Sequence, residues 1–356
     1  MIGHPISKEI STLIIVGAST RAAAFSALRA GRRPWCLDLF ADADLRARCP
    51  VEVIALDEYP LSLPARVAAG PPGPWMYTGG LENHPKIVRR ISRDRPLLGH
   101  DADVLRLVRD PLRLADLFRS AGVPYPEVRL TEPNDDRMWL AKPRAGAGGA
   151  GIHVWKSGDR VQRRAYFQEF LTGPSCAALY DGPRLLGVTE QLVGEPWLAA
   201  GRFHYCGSIG PISLTEAQRI AFERIGHVLA GSCHLHGLFG VDFIQREGEP
   251  LPVEVNPRYT ASAEVLEYAA GGVVGKAILF ARKPLTFPAD GPWLDILWRR
   301  GPIHEMPAFA DIPAAGQVIA VGWPILTLLT REHSVAECHG QLRTRAGELE
   351  RWLYRA

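Results

Sequence analysis

Two alternating apolar strands joined by a short polar turn constrain this chain more than any other stretch. The first is Gly240-Val241-Asp242-Phe243-Ile244, the turn is Arg246-Glu247-Gly248-Glu249-Pro250, and the second is Leu251-Pro252-Val253-Glu254-Val255-Asn256-Pro257-Arg258. Successive side chains of a strand point to opposite faces. Phe239, Val241 and Phe243 therefore share one face, with Asp242 on the other. Leu251, Val253 and Val255 share a face of the second strand, with Glu254 and Asn256 opposite. A turn centred near Gly248 sets Asp242 across from Glu254. Directly opposed side chains lie about 4.5–5.5 Å apart at Cβ, and two carboxylates that close repel unless a cation or a proton separates them. With the Asn256 carbonyl beside them the site is all oxygen. That suits Mg²⁺, which takes one or two carboxylates and completes its shell with phosphates and water. Taken alone, the same acids fit the solvated face of a surface hairpin equally well.

A second stretch favours the metal reading. Leu140-Ala141-Lys142-Pro143-Arg144 is followed by Ala145-Gly146-Ala147-Gly148-Gly149-Ala150-Gly151 and then Ile152-His153-Val154-Trp155. An apolar strand delivers a lysine, then a loop of small residues, then a second strand. Small residues let backbone N–H groups approach an anion, and such concave loops bind phosphate. Lys142 adds a point charge for phosphate oxygens.

With these elements the chain resembles the ATP-grasp superfamily of carboxylate–amine ligases, from about Asp103 to the C-terminus. Its likeness extends to members that make amides in pterin or furan C1-carrier pathways, such as tyramine–glutamate ligases. The stretch Phe167-Gln168-Glu169-Phe170-Leu171-Thr172-Gly173-Pro174-Ser175 matches the hinge that holds adenine in the family. The resemblance implies that Gln168 offers its side chain to the adenine amine, that Glu169 and Leu171 contact the ring through their backbones, and that Ser175 stands where a ribose-binding glutamate is frequent. Arg109 stands where relatives often carry a phosphate-gripping lysine; arginine keeps the charge and changes the geometry. By the same resemblance Lys142, Arg144, Gly146, Gly148, Gly149 and Gly151 hold ATP, and Asp242, Glu254 and Asn256 hold Mg²⁺ or Mn²⁺. Arg258, with Lys142, meets the transferred phosphoryl group. The run from Asp311 through Gly322-Trp323-Pro324 to Ser334 resembles the closing segment of such ligases.

The implied fold class is α/β: an N-terminal Rossmann-like lobe (1–100), an ATP-grasp lid subdomain (101–172), a metal-binding subdomain (173–290) and a C-terminal extension completing the core (291–356). A length of 356 residues suits such packed lobes. Thr12–Val16, Pro34–Leu39, Val51–Ile54 and Trp75–Tyr77 read as strands, with a helix from Ala22 to Ala30. Helices are expected at Pro111–Ser120, at Thr215–His234 with a Thr215/Gln218 capping box, and at Thr344–Tyr354.

A net charge of +3, without basic runs interleaved with aromatics, gives no reason to expect nucleic acid as a partner. The arginine pairs Arg89-Arg90, Arg163-Arg164 and Arg299-Arg300 read as solvated faces. Six scattered cysteines form no Cys-x-x-Cys pair, so reduced thiols of a cytoplasmic protein are expected. The N-terminus lacks a charged-then-apolar leader pattern, and no stretch is long enough to span a bilayer.

Gly17-Ala18-Ser19-Thr20-Arg21-Ala22, with Asp38 at ribose-binding distance, is the rival reading: a partial dinucleotide fingerprint lacking two of its glycines. His234-Leu235-His236 fits a helix end better than a metal site. Glu82, after the strand Trp75–Tyr77, either orients an amine or caps the next helix. Tyr205 and Tyr259 are expected to line an acceptor pocket. The reaction these readings imply is activation of a small-molecule carboxylate as an acyl phosphate, followed by attack of an amine. The alternatives are an ATP-binding protein without turnover and an NAD-dependent oxidoreductase. The sequence names neither acid nor amine and leaves open whether the protein is a homodimer.

Overall fold

The computed structural model describes residues 12–160, 162, 164–299 and 301–355. The leader reading falls on residues 1–11, and Arg163 and Arg300 likewise lie outside the described residues. Arg89, Arg90 and Arg164 are exposed.

The N-terminal part is a parallel sheet of β1 (Thr12–Val16), β2 (Arg33–Asp38), β3 (Val51–Val53) and β4 (Trp75–Tyr77), in the order β3-β2-β1-β4. Its strands form because Ile14, Ile15 and Val16 can be buried on both faces, which a crossover-linked parallel sheet provides. The helix Arg21–Arg29 covers one face.

An antiparallel sheet follows, built from β5 (Val128–Arg129), β6 (Trp139–Pro143), β7 (His153–Val154) and β8 (Ala165–Glu169), in the order β5-β8-β6-β7. Lys142 stands near the end of β6, and the glycine loop connects β6 to β7.

The largest sheet comprises β9 (Ser175–Asp181), β10 (Arg184–Val193), β11 (Tyr205–Gly210), β12 (Leu238–Arg246), β13 (Glu249–Asn256) and β14 (Val273–Phe280). A small separate pair, β15 (Leu285–Thr286) and β17 (Val318–Ile319), flanks it, and β16 (Phe309–Ala310) and β18 (Pro324–Glu332) complete it. Its order is β13-β12-β9-β10-β11-β14-β18-β16, so a strand from the last part of the chain lies inside the sheet.

One face of this sheet is packed by the helices Pro111–Ser120 and Glu216–Cys233. Leu114, Phe118, Phe222, Ile225 and Leu229 meet Tyr180, Phe239, Val241, Phe243 and Val255. Phe222 and Phe243 meet edge to face at 4.9 Å, and Tyr180 stacks on Phe239 at 5.0 Å. Burying Val241 and Phe243 on this side directs Asp242 to the other, because strand side chains alternate. The capping box of Thr215 and Gln218 forms as expected. The C-terminal helix spans Val335–Leu353 and so begins nine residues before the expected Thr344. Cys338, Leu342, Ala346 and Leu349 supply a buried stripe at spacings of three and four, and Ser334 accepts the Glu337 N–H at 3.2 Å as N-cap.

Candidate active site

Asp242 pairs with Glu254 in the β12–β13 ladder. The turn itself is tighter than expected. Arg246 pairs with Glu249, leaving Glu247 and Gly248 as a two-residue turn with φ of 52° and 87°, the left-handed pair that matches strand twist in a hairpin. That register would offset the two acids by one residue. A bulge restores it: Phe243 pairs with Pro252 and Asp242 with Glu254, so Val253 is the extra residue. The bulge also corrects the expected face of Val253, which turns to the cleft beside Glu254 instead of joining Val255 in the core.

The carboxylates have different surroundings. Asp242 Oδ1 accepts from Gln191 Nε2 at 2.9 Å and Oδ2 from Asn256 Nδ2 at 3.0 Å. Burial, reinforced by the charge of Glu254, pushes Asp242 up to about 7 despite these bonds. Burial also acts on Glu254, but Arg109 and Lys142 outweigh it and hold that carboxyl below its ordinary range. Arg109 Nη1 pairs with Glu254 Oε1. The two opposed carboxylates fit a divalent cation, one of them raised by burial and by the charge of the other; the Asn256 amide beside them turns its Nδ2 to Asp242 and its Oδ1 to Arg258. Among the described residues no group of three or more His, Cys, Asp or Glu side chains is placed to hold a metal ion. The pair would therefore rely on phosphate and water for its remaining ligands.

Lys142 is buried, and its Nζ donates to Gln168 Oε1 at 2.9 Å. Burial lowers its pKa, countered by Glu254. The glycine loop lies down over the large sheet. Gly146 O accepts from Asn83 Nδ2 and from Arg109 Nη2, each at 3.1 Å, and Tyr205 N donates to Gly148 O at 3.2 Å. Gly149, at φ 83°, runs so close to the turn before β11 that a Cβ would stand 1.8 Å from Phe203 O. Only glycine permits that approach. Arg109 Nε is buried with no hydrogen-bond partner among the described residues, a donor available to an anion.

A chain of polar contacts leads from the Asp242–Glu254 pair to the N-terminal lobe. Asn256 Oδ1 accepts from Arg258 Nη2 at 3.2 Å, and Arg258 Nε donates to Glu82 Oε1 at 2.8 Å. Pro257 O, just before Arg258, accepts from Tyr77 Oη at 3.1 Å and from His100 Nδ1 at 2.9 Å. His236 N donates to His100 Nε2 at 3.1 Å, which fixes the proton on Nδ1.

Lys142, Glu82, Tyr205, Asp242, Glu254, Asn256 and Arg258 all line one cavity of about 220 Å³, together with Gly148 and Gly149. A second space of about 40 Å³ continues beneath the loop between Arg109, Arg144, Gly146 and Tyr166. Several expected residues are elsewhere. Tyr259 is packed in the core between the N-terminal and large sheets, with its hydroxyl on Glu267 Oε2 at 3.2 Å, so it does not line the pocket. The Gln168 side chain accepts from Lys142 at Oε1 and donates from Nε2 to Val253 O at 3.4 Å. Ser175 Oγ donates to Gln191 Oε1 at 2.7 Å. Glu169, Leu171, Ser175 and Gly151 line neither space. Gln191 and Asn83 were missed by sequence reading; each acts on a residue far away in the chain, and no local pattern marks it.

Asp38 of the partial dinucleotide fingerprint is fully buried. Its carboxylate accepts from Thr20 N (2.5 Å), Thr20 Oγ1 (2.7 Å), Phe40 N (2.8 Å) and Ala41 N (2.7 Å), which leaves nothing for a ribose. All six cysteines are free and buried. No helix among the described residues is long and apolar enough to cross a membrane.

Residues 108–262 match the ATP-grasp domain family. The 3-methyl-D-ornithine–L-lysine ligase of Methanosarcina barkeri is 23% identical over 185 residues, covering 51% of this chain and 47% of the relative. The chain spans about half the length of the first curated relatives it matches. The fold is that of solved ATP-grasp proteins. The biotin carboxylase domain of the Hydrogenobacter thermophilus 2-oxoglutarate carboxylase, solved with MgADP, superposes with a TM-score of 0.71 at 14% identity, covering 94% of this chain and 89% of the other. An L-amino acid ligase from Bacillus licheniformis gives 0.66 at 16% identity, covering 96% and 98%.

Proposed function

We propose that this chain, whose residues 108–262 are an ATP-grasp domain, is an ATP-dependent ligase joining the carboxylate of one small molecule to the amine of another. The observation that carries the reading is the opposition of Asp242 and Glu254 on one wall of a cavity whose other wall is Lys142 and the glycine loop. The matched ligase names two amino-compound substrates, and a fold neighbour is an L-amino acid ligase; amino acids are therefore proposed for both partners. A cytoplasmic setting fits the free cysteines.

Lys142 and the backbone N–H groups of the loop hold the phosphates, with Arg109 turning its free Nε to them. Bound by Asp242, Glu254 and Asn256, Mg²⁺ or Mn²⁺ would neutralise charge on the triphosphate. A carboxylate oxygen of the acid attacks the γ-phosphorus, the bond to the β-phosphate oxygen breaks, and ADP leaves an acyl phosphate. The amine nitrogen, with its lone pair free, then attacks the acyl carbon, the C–O bond to phosphate breaks, and the nitrogen passes its proton to the departing phosphate. Arg258, whose Nη2 donates to Asn256 Oδ1 at 3.2 Å, meets the phosphoryl group in this reading. The protein contributes positioning and charge compensation. The glycine loop, which lies over the cavity, shields the acyl phosphate from water.

The test is ADP release across a matrix of amino acids and other small acids and amines, with Asp242→Asn and Glu254→Gln in parallel. Release that needs one acid and one amine together, and is lost in both variants, supports the reading. Tight ATP binding with no release from any pair would assign a nucleotide-binding role without turnover.

A further inference from the structure

Glu82 is the residue by which the N-terminal lobe reaches the reaction cavity. It stands on the short helical turn Leu81–Asn83 that follows β4, at the C-terminal end of a parallel strand, where α/β sheets present ligand-binding groups. Its side chain is only 1% exposed. Arg258 satisfies Oε1 at 2.8 Å, but Oε2 is buried with no hydrogen-bond partner among the described residues. An ionised carboxylate oxygen can only accept, so the partner missing from Oε2 is a donor. Leaving such an atom unmatched is costly.

The groups around the cavity bear on the kind of donor. Of the three carboxylates that line it, Glu254 is paired with Arg109 and Asp242 accepts from two amides, which leaves Glu82 with the unmatched oxygen. The remaining polar wall holds the amides of Gln191 and Asn256, both donating to Asp242, and four hydroxyls: Tyr205 and Ser208, 2.8 Å apart, and Thr260 and Ser262, 2.8 Å apart. Hydroxyls accept as well as donate. A primary ammonium brings three donors, no acceptor and one positive charge, and so complements both the free carboxylate oxygen and the hydroxyls.

We propose that Glu82 Oε2 is the binding site for the ammonium group of a substrate, seated beside Arg258 at the far end of the Glu82–Arg258–Asn256–Asp242 chain. This rests on the ligase reading and narrows it: one of the two substrates carries a primary ammonium, supplied by an amino acid or by an amine lacking a carboxylate. Glu82 binds and orients that group while Arg258 ties it to the phosphoryl end of the cavity.

The experiment measures the melting temperature of the full chain with Mg²⁺ and a non-hydrolysable ATP analogue present. The panel contains the proteinogenic amino acids, a series of alkylamines and α,ω-diamines, and the N-acetyl derivative of each. At least one primary amine should raise the melting temperature where its N-acetyl derivative does not, and the class that responds identifies the source. Glu82→Gln, which keeps an acceptor for Arg258 but removes the charge, should weaken that amine about 10-fold or more, the size of a lost charge-assisted hydrogen bond, and leave affinity for the ATP analogue within about 2-fold. Glu82→Asp, a second variant that keeps the charge but shortens the reach, should fall between. The assignment is overturned if no primary amine acts, or if the responding amine binds both variants as tightly as the parent chain. Amine binding that depends on Glu82 without ADP release from any acid would instead sink the ligase reading and leave the ammonium site standing.

Discussion

Glu254 faces Asp242 across the β12–β13 ladder, and the two carboxylates are pushed in opposite directions, Asp242 up to about 7 and Glu254 down. The asymmetry has a structural cause. Glu254 is reached by Arg109 and Lys142, while the amide groups of Gln191 and Asn256 provide the hydrogen bonds to Asp242. Asp242 must lose its proton before it can bind a cation. Affinity for Mg²⁺ in the presence of nucleotide should therefore rise with pH through 7, falling by up to about tenfold per unit below it and levelling off above 8. Mg²⁺ titrations at pH 6, 7 and 8 read this directly, and a flat profile would contradict it. In the metal-free protein the sign for stability is opposite. The folded state holds this proton more tightly than the unfolded chain, so this group's contribution falls as pH rises from the ordinary aspartate range through 7.

Replacing Asp242 by Asn removes a buried charge that its neighbour already opposes. Asp242→Asn should lower turnover by roughly 100-fold or more, while the melting temperature stays level or rises. ADP release and a thermal melt on one preparation test both halves. A large fall in melting temperature would mean that Asp242 holds the fold rather than the site.

The Gly149 approach to Phe203 belongs to the lowered loop. Gly149→Ala puts a Cβ where Phe203 O stands and forces alanine to φ 83°. A strained residue of this kind costs about 1–3 kcal/mol, so nucleotide should bind some 5- to 100-fold more weakly. Gly148, at φ 60° with nothing within 4 Å of its Cβ position, is the control; Gly148→Ala should have the smaller effect. Equal effects in a nucleotide titration would deny the loop its close contact.

Pro257 O is held by His100 Nδ1 and Tyr77 Oη, which fixes the backbone carrying Arg258. Burial lowers the His100 pKa, in keeping with a neutral ring. His100→Ala and Tyr77→Phe should each reduce kcat by about tenfold while KM for ATP moves by less than about twofold, as for groups that position another. An equal rise in KM for ATP would point to general loosening of the cleft.

Local pattern carried much of the fold. The apolar run of β1, the Thr215 capping box and the helix beginning at Pro111 were legible because each depends on residues within one or two turns. The C-terminal helix was read short because its first turns carry Glu337, His339 and Gln341, and their buried stripe becomes apparent only against β14 and β18. The Asp242–Glu254 pairing was read correctly from a wrong turn: the two-residue turn shifts the register by one residue, and the bulge at Val253 shifts it back. Tyr259 was misplaced because an aromatic beside Arg258 looks like a pocket wall until the sheet order puts it between two lobes.

What the chain determined by itself was its chemistry: a lysine before a glycine loop, and acids, an amide and an arginine alternating along a hairpin, since strand alternation and turn geometry are set within a few bonds. Tertiary structure alone decided how those groups are engaged. Arg109 reaches Glu254 from 145 residues away, Asn83 latches Gly146 from 63 away, and Arg258 meets Glu82 from 176 away. Contacts over such distances depend on how the sheets pack, and packing is fixed by burial of whole faces, whose partners no local sequence names.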